Sequence, residues 1–167
     1  MKRACIAIVD AARARLYTYQ EDAIPGREMR EIRDLANAGR RMKAGDMFSE
    51  TRPDAAGLGR PGQGAVPNST KDDHRDDHIE MMDAKFAKEV VEEVEKVIRT
   101  EGYNHLILIA PPKMLGELRK ANGLLKRNGL VVDEVQRDLS NLSATQLHDH
   151  LASLDMIPGR QRLNLAR

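Results

Sequence analysis

The sequence predicts a single α/β domain with a mixed β-sheet, antiparallel at the start of the chain and parallel later, flanked by helices. Three observations predict this class. The 167 residues are close to the most common size of one domain. Short strand-like runs fill the first 35 residues, whereas helical and strand-like patterns alternate after residue 70. Hydrophobic residues make up 41% and charged residues 32%, which excludes a disordered acidic or basic chain.

The start of the chain is typical of an antiparallel meander. Residues 4–9 form a short apolar run that predicts a central strand. Residues 13–19 alternate in polarity and predict a second strand with Arg13 and Arg15 on one face. Residues 27–35 predict a third, edge-like strand, and a helix is the alternative for that stretch.

Residues 39–70, which we call the Gly/Arg segment, differ in composition from the rest of the chain. They hold six of the twelve glycines and three of the seven prolines. A loop of that length inside a compact domain is usually either functional or disordered. Its basic residues are Arg40, Arg41, Lys43, Arg52 and Arg60.

The next part of the chain alternates between helix and strand. Apolar residues at every third or fourth position predict a helix over 72–100 that ends at Gly102. A buried strand over 106–110 follows and is stopped by two prolines. A second helix then continues to a point near Gly129.

The end of the chain predicts one more strand and one more helix. The strand covers residues 130–135. Ser143 and Gln146 have the spacing of a capping box, which begins a helix. The apolar stripe of that helix consists of Leu147, Leu151 and Leu154. We therefore expect a domain over residues 1–155 and a loosely held tail over 156–167.

Composition excludes several kinds of site. Aromatic residues are only 3% of the chain and tryptophan is absent, which excludes a base-stacking platform, so any contact with RNA must involve phosphates and shape. Cys5 is the only cysteine, which excludes a disulfide and a thiolate zinc site. The apolar start is too short for a signal peptide or a membrane span, so we expect a cytoplasmic protein without a membrane partner.

The net charge of +1 results from opposite charges in different parts of the chain. Residues 1–70 carry +3, residues 71–101 carry −5, and residues 102–167 carry +3. Arginine outnumbers lysine by 18 to 9, which favours phosphate contacts because a guanidinium can bond an oxyanion at two points. Surface solubility is the plainer interpretation of the same charges.

Three residues are candidate ligands of a divalent metal. His74 and His78 lie four positions apart, on one face of the predicted long helix. Asp10 ends the first strand, where α/β nucleases of the RNase H type hold a metal-binding carboxylate. The plainer alternatives are a solvated helix N-terminus for the two histidines and turn initiation for Asp10. The sequence therefore predicts no cofactor, with a metal ion as the alternative, and a solvated surface for His148 and His150.

Three motifs stand in order along the chain. They are residues 8–17 (IVDAARARLY), 106–119 (LILIAPPKMLGELR) and 137–143 (RDLSNLS). Together they resemble the signatures of the bacterial host attachment protein family, whose members are described as required for attachment to host cells. The resemblance covers residues 4 to about 154 and implies no particular chemistry.

A more distant resemblance concerns the Gly/Arg segment. Residues 59–64 (GRPGQG) stand where the middle domain of archaeal and eukaryotic class-1 translation release factors carries a Gly-Gly-Gln loop, but Pro61 replaces a glycine and Gly64 a serine. The resemblance implies a fold like that middle domain and makes Gly62 and Gln63 candidate catalytic residues. A glycine there would let a backbone N–H approach an ester oxyanion. A plain disordered loop is the alternative.

These observations lead to one leading hypothesis and two alternatives. We expect a binding module that acts on the ribosome, tRNA or RNA. Its candidate contact residues are Arg13, Arg15, Arg40, Arg41, Lys43, Arg52 and Arg60. The first alternative is a hydrolase, which cleaves peptidyl-tRNA esters through Gly62 and Gln63 or acts as a metal-dependent nuclease through Asp10. The second is an adaptor with an indirect effect on attachment.

Overall fold

A computed structural model describes residues 2–41, 69–121 and 129–160, with side chains described for 2–40, 76–121 and 129–160. Its centre is one five-stranded sheet. The strands are β1 (Arg3–Val9), β2 (Arg13–Gln20), β3 (Met29–Ala36), β4 (His105–Ile109) and β5 (Val131–Val135). The helices are α1 (Ala38–Arg41), α2 (Ser69–Glu101), α3 (Pro112–Lys120) and α4 (Ala144–Ser153).

The sheet has the strand order β3-β2-β1-β4-β5. β1, β2 and β3 form an antiparallel meander, and β4 and β5 run parallel to β1. This arrangement confirms the predicted mixed α/β fold, with a strand rather than a helix as the third element. β1 lies in the middle, where Cys5 pairs with Thr18 on one side and with Leu106 on the other. Burial raises the pKa of the Cys5 thiol to about 12.

Helices cover both faces of the sheet. On one face α2 and α3 enclose an aliphatic core around Phe86, and on the other face α4 packs over Tyr17 and Tyr19. Because neighbouring strand residues point to opposite faces, β1 supplies both cores, for example with Ala7 to the first and Ile6 to the second. Burying a large apolar side chain stabilises the fold by roughly 1.5–3 kcal/mol, so each helical layer contributes several such increments.

α2 confirms the predicted long helix and begins three residues earlier than expected. Its 33 residues span roughly 50 Å at 1.5 Å per residue. The helix is followed by Gly102, whose φ of 69° suits the left-handed position after a helix end. Among the α2 side chains that the structure describes, residues 76–101, the first buried one is that of Asp83. None of the helices in the described ranges combines the length and the apolar character that crossing a bilayer requires.

Two expectations for the last helix are wrong. Leu154, expected in its apolar stripe, lies just beyond the helix and is 38% exposed. His148, expected on a solvated surface, is only 2% exposed. The reason is that His148 lies three positions before Leu151 and therefore near the buried side of the helix. Its ring packs edge-on against Tyr19, and its Nε2 is 2.9 Å from the carbonyl oxygen of Pro158.

The described part of the predicted tail contacts the same core. Ile157 is 3% exposed and packs with the α4 side of the sheet. Arg160 donates two hydrogen bonds to Asp149, at 2.7 and 2.8 Å. The chain is therefore packed against α4 as far as Arg160, and residues after it lie outside the described part.

Candidate functional site

The end of the sheet at which β1, β4 and β5 finish is the candidate functional site. We call it the carboxyl end, and we call the opposite end, where β2 finishes and β3 begins, the amino end. The three sequence motifs meet at the carboxyl end, because each motif contains residues that follow or precede a strand there. Ligands of open α/β sheets bind in the crevice outside the carboxyl ends of the parallel strands.

Asp10 shapes the turn between β1 and β2. Its Oδ1 accepts hydrogen bonds from the backbone N–H groups of Ala12 and Arg13, at 2.6 and 2.7 Å. This is the turn-initiating arrangement expected of an aspartate at that position. Within the described residues no group of three His, Cys, Asp or Glu side chains lies close enough to hold a metal ion. A metal at Asp10 stays a prediction.

Arg13 and Arg15 both form ion pairs with residues of β3. Arg13 donates two hydrogen bonds to Asp34, at 2.7 and 2.6 Å, and Arg15 donates two to Glu31, at 3.2 and 2.7 Å. The Arg15 guanidinium lowers the pKa of Glu31 below its usual value. The structure therefore gives both arginines carboxylate partners on the neighbouring strand.

Arg15 also joins the first motif to the third. Its Nη1 donates hydrogen bonds to the carbonyl oxygens of Leu142, at 2.8 Å, and of Ser140, at 3.4 Å. Asp138 holds the same loop by accepting from the N–H and the hydroxyl of Ser140. The Arg15 side chain is only 14% exposed, so these contacts are largely shielded from water. The motifs thus have a structural connection across more than a hundred residues of sequence.

The loop of the third motif leads into the predicted capping box. The Ser143 hydroxyl accepts from the Gln146 N–H, and the Gln146 side chain accepts from the Ser143 N–H. This arrangement confirms the capping box and satisfies two donors at the start of α4.

Arg40 fixes the point at which the Gly/Arg segment leaves the described fold. It donates two hydrogen bonds to Asp83 of α2, at 3.0 and 2.7 Å. The Asp83 side chain is 3% exposed, so the ion pair is largely buried on that side. Gly39 packs so closely on Met82 that a Cβ at position 39 would collide with the methionine side chain. Residues 39 and 40 are therefore held firmly against α2.

Several predicted site residues lie wholly or partly outside the described part. Gly62, Gln63, Lys43, Arg52 and Arg60 lie outside it entirely. The backbones of Arg41 and His74 lie in α1 and α2, but their side chains are not among those described. His78 lies on α2 and is half-buried. Because the His74 side chain is not described, the pairing of the two histidines stays a prediction.

Sequence reasoning missed Asp83, which is the partner of Arg40. The signal was present, because Asp83 stands within the apolar stripe of the long helix, four positions after Ile79 and three before Phe86. A carboxylate at such a position is buried and needs a cation. The sequence alone does not identify that cation, because Arg40 lies 43 positions earlier, at the start of the Gly/Arg segment.

Comparison with known protein families gives a match that includes all residues of the candidate site described above. A family model described as "Protein required for attachment to host cells" matches residues 5–151, which include all three motifs. None of the curated proteins compared with the chain matches it.

Proposed function

The chain belongs to the family of proteins required for attachment to host cells, and we propose that it acts as a module that binds RNA phosphates through its Gly/Arg segment. The observation that carries the proposal is the Arg40–Asp83 ion pair. This ion pair holds the start of the segment against α2. Asn37, two positions before the segment, donates to the carbonyl oxygen of Ala11, so the start of the segment also lies beside the turn that Asp10 shapes. The first residues of a basic, glycine-rich segment are thus anchored beside the crevice where α/β sheets bind ligands.

The ion pairs of the described residues support a proposal in which the contacts lie on the segment and not on β2. Arg13, Arg15 and Arg40 are each bonded at two points by a carboxylate. Each of these guanidiniums would have to release a carboxylate that it already bonds at two points before it could bond a phosphate in the same way. The proposed contacts are therefore the remaining basic residues of the segment. These are Arg41, Lys43, Arg52 and Arg60.

Composition determines what kind of binding this would be. Because aromatic residues are only 3% of the chain, stacking on bases contributes little, and phosphate contacts supply the affinity. Binding of this kind displaces condensed counterions and weakens steeply with salt. With four contacts, the affinity is expected to fall roughly 50-fold between about 50 and about 200 mM salt. Because it would act on cellular RNA, we also propose that the protein works in the cytoplasm.

The test compares two four-residue variants of the full chain. The first changes Arg41, Lys43, Arg52 and Arg60 to glutamine. The matched control changes four basic residues of α2 and α3 to glutamine, namely Lys85, Lys88, Arg99 and Lys120. Fluorescence anisotropy with a labelled single-stranded RNA and with labelled tRNA then measures both affinities at several salt concentrations.

We expect the first variant to lose at least tenfold in affinity at low salt and to lose most of its salt dependence. The control is expected to bind nearly as well as the unchanged protein. Equal losses in the two variants, or no binding of either RNA at low salt, would refute the proposal and leave the adaptor alternative.

The hydrolase alternatives can be followed in the same samples. Ester cleavage through Gly62 and Gln63 requires peptidyl-tRNA to be hydrolysed by the unchanged protein but not by Gln63→Ala. Nuclease activity through Asp10 requires shortened RNA that a chelator or Asp10→Asn protects. No contact among the described residues favours either reaction, and we expect both substrates to stay intact.

A further inference from the structure

A groove lies at the amino end of the sheet, between β3 and the last turns of α2. Its volume is about 230 Å³. Its polar lining consists of Thr18, Arg30, Arg33, Lys96, Thr100 and Glu101. A second groove continues it along β2 and shares Thr18 and Arg30 with it. We call the first of these the amino-end groove.

An irregularity in the sheet creates the basic wall of this groove. Thr18 pairs with Arg30 and Leu16 pairs with Arg33. A move of two positions along β2 therefore corresponds to a move of three positions along β3 at the register shift between Leu16 and Tyr17. Side chains three positions apart in a regular strand point to opposite faces. The shift instead brings Arg30 and Arg33 to the α2 side, and such irregularities commonly re-aim side chains in this way.

The cations of the groove outnumber the carboxylates that neutralise them. Glu93 of α2 accepts from Arg33 at 2.8 Å and lies 3.9 Å from the Lys96 ammonium, so one carboxylate serves two cations. Arg30 is exposed and forms no ion pair with any described residue. Cations gathered around one groove repel each other, and an anion bound between them relieves that repulsion.

The remaining lining limits the size and the shape of the anion. The hydroxyls of Thr18 and Thr100 are donors that suit oxygen atoms. Glu101 lines one end, and Glu28 lines the adjoining groove, so their carboxylates repel a second anionic group. The space therefore suits one compact oxyanion with several acceptor oxygens.

We infer that the amino-end groove binds a single phosphate group, either as inorganic phosphate or as the phosphate of a small monoester. Arg30 is the principal contact because its guanidinium can bond two phosphate oxygens. Lys96 supplies a second charge, and the threonine hydroxyls orient the remaining oxygens. The inference does not rest on the Gly/Arg segment, which begins at the other end of the sheet.

The test is a titration of the isotope-labelled full chain followed by NMR. Inorganic phosphate, glycerol phosphate and acetate are added separately at constant ionic strength. We expect saturable shifts of the Thr18 and Thr100 amides with both phosphate compounds and none with acetate. The tighter of the two identifies whether the free ion or the monoester is the better ligand.

Two variants make the test specific. Arg30→Gln is expected to weaken phosphate binding roughly tenfold, as loss of a charge-assisted contact should. Arg137→Gln, which removes an exposed arginine from the carboxyl end, is the matched control and should bind unchanged. Absence of saturable shifts, equal response to acetate, or equal weakening in both variants would overturn the inference.

Discussion

Three arginines at the carboxyl end of the sheet and Arg30 at its amino end are in opposite situations. At the carboxyl end, Arg13, Arg15 and Arg40 are each bonded at two points by a carboxylate. At the amino end, Arg30 forms no ion pair with any described residue, although it lines two adjoining grooves. These three carboxylate-bonded arginines thus help to hold the fold together. Arg30, by contrast, is exposed on the edge strand β3 and is available to an external anion.

Cross-strand geometry explains the paired arginines. Arg15 lies opposite Asp34 in the sheet but bonds Glu31, and Arg13 lies opposite Ala36 but bonds Asp34. Each arginine therefore reaches diagonally to the next acidic residue on its face, a distance that long side chains span readily. Charge alone, without the register, does not distinguish such a residue from a free one.

The largest expected effect comes from breaking the pair that anchors the Gly/Arg segment. Arg40→Gln leaves the Asp83 carboxylate buried without its cation, and we expect a loss of about 3 kcal/mol in the free energy of unfolding. Urea unfolding measures it. Arg30→Gln, from the other end of the sheet, is the control and should change the same quantity by no more than about 0.5 kcal/mol. Similar losses in both variants would erase the distinction between the two ends.

Arg15→Ala should have the next largest effect. The substitution removes the bonds to Glu31 and leaves the carbonyl oxygens of Ser140 and Leu142 without this donor. We expect a loss of about 2 kcal/mol, again from urea unfolding. Hydrogen exchange should accelerate in the loop of the third motif but not in β4. Faster hydrogen exchange confined to β2 and β3 would contradict the connection between the first and third motifs.

Acid should weaken the carboxyl end through Glu31. The folded-state pKa of Glu31 is lower than its ordinary value of 4.5 because of Arg15. The resulting stability is complete above about pH 4.5 and is lost as the pH falls through the folded-state value. Asp149 beside Arg160 also has a lowered pKa, so the informative quantity is a difference. Arg15→Ala should lose less stability than the unchanged protein between about pH 6 and about pH 3.5. Parallel pH profiles would contradict this.

Arg13→Ala should have the smallest effect of the carboxyl-end substitutions. Both partners of the pair are well exposed, at 42% and 49%, and exposed pairs contribute little. We expect a loss of about 0.5 kcal/mol or less in the free energy of unfolding. A loss comparable with that of Arg15→Ala would show that burial does not set the order of these effects.

The elements of the fold were predictable because their signals are local. The alternation of residues 13–19, the apolar run of 106–110 and the Ser143–Gln146 spacing each depend on neighbours within a few positions. The structure confirms all three. His148 shows the limit of this reasoning, since the pattern placed it in solvent although it lies beside Leu151 on the buried side.

The state of each charged side chain was less predictable because it depends on distant partners. Arg15 meets carbonyl groups 125 and 127 positions away, and no local pattern contains that contact. Asp83 is the exception, since its place in an apolar stripe indicates that its carboxylate is buried and therefore needs a cation as a partner. The amino-end groove depends on the register shift at Leu16/Tyr17, which the alternation of residues 13–19 does not reveal.

The central position of β1 also determines when this strand can be paired on both sides. During synthesis β1, β2 and β3 emerge together, but the other side of β1 stays open until β4 has been made. At about 5–20 residues per second, the interval between residues 36 and 109 lasts roughly 4–15 s. Cys5 lies on that open strand, so the reactivity of its thiol reports how far folding has advanced. Its side chain faces the core that α2 and α3 cover later, so we expect a thiol reagent to reach it during this interval and not in the folded protein.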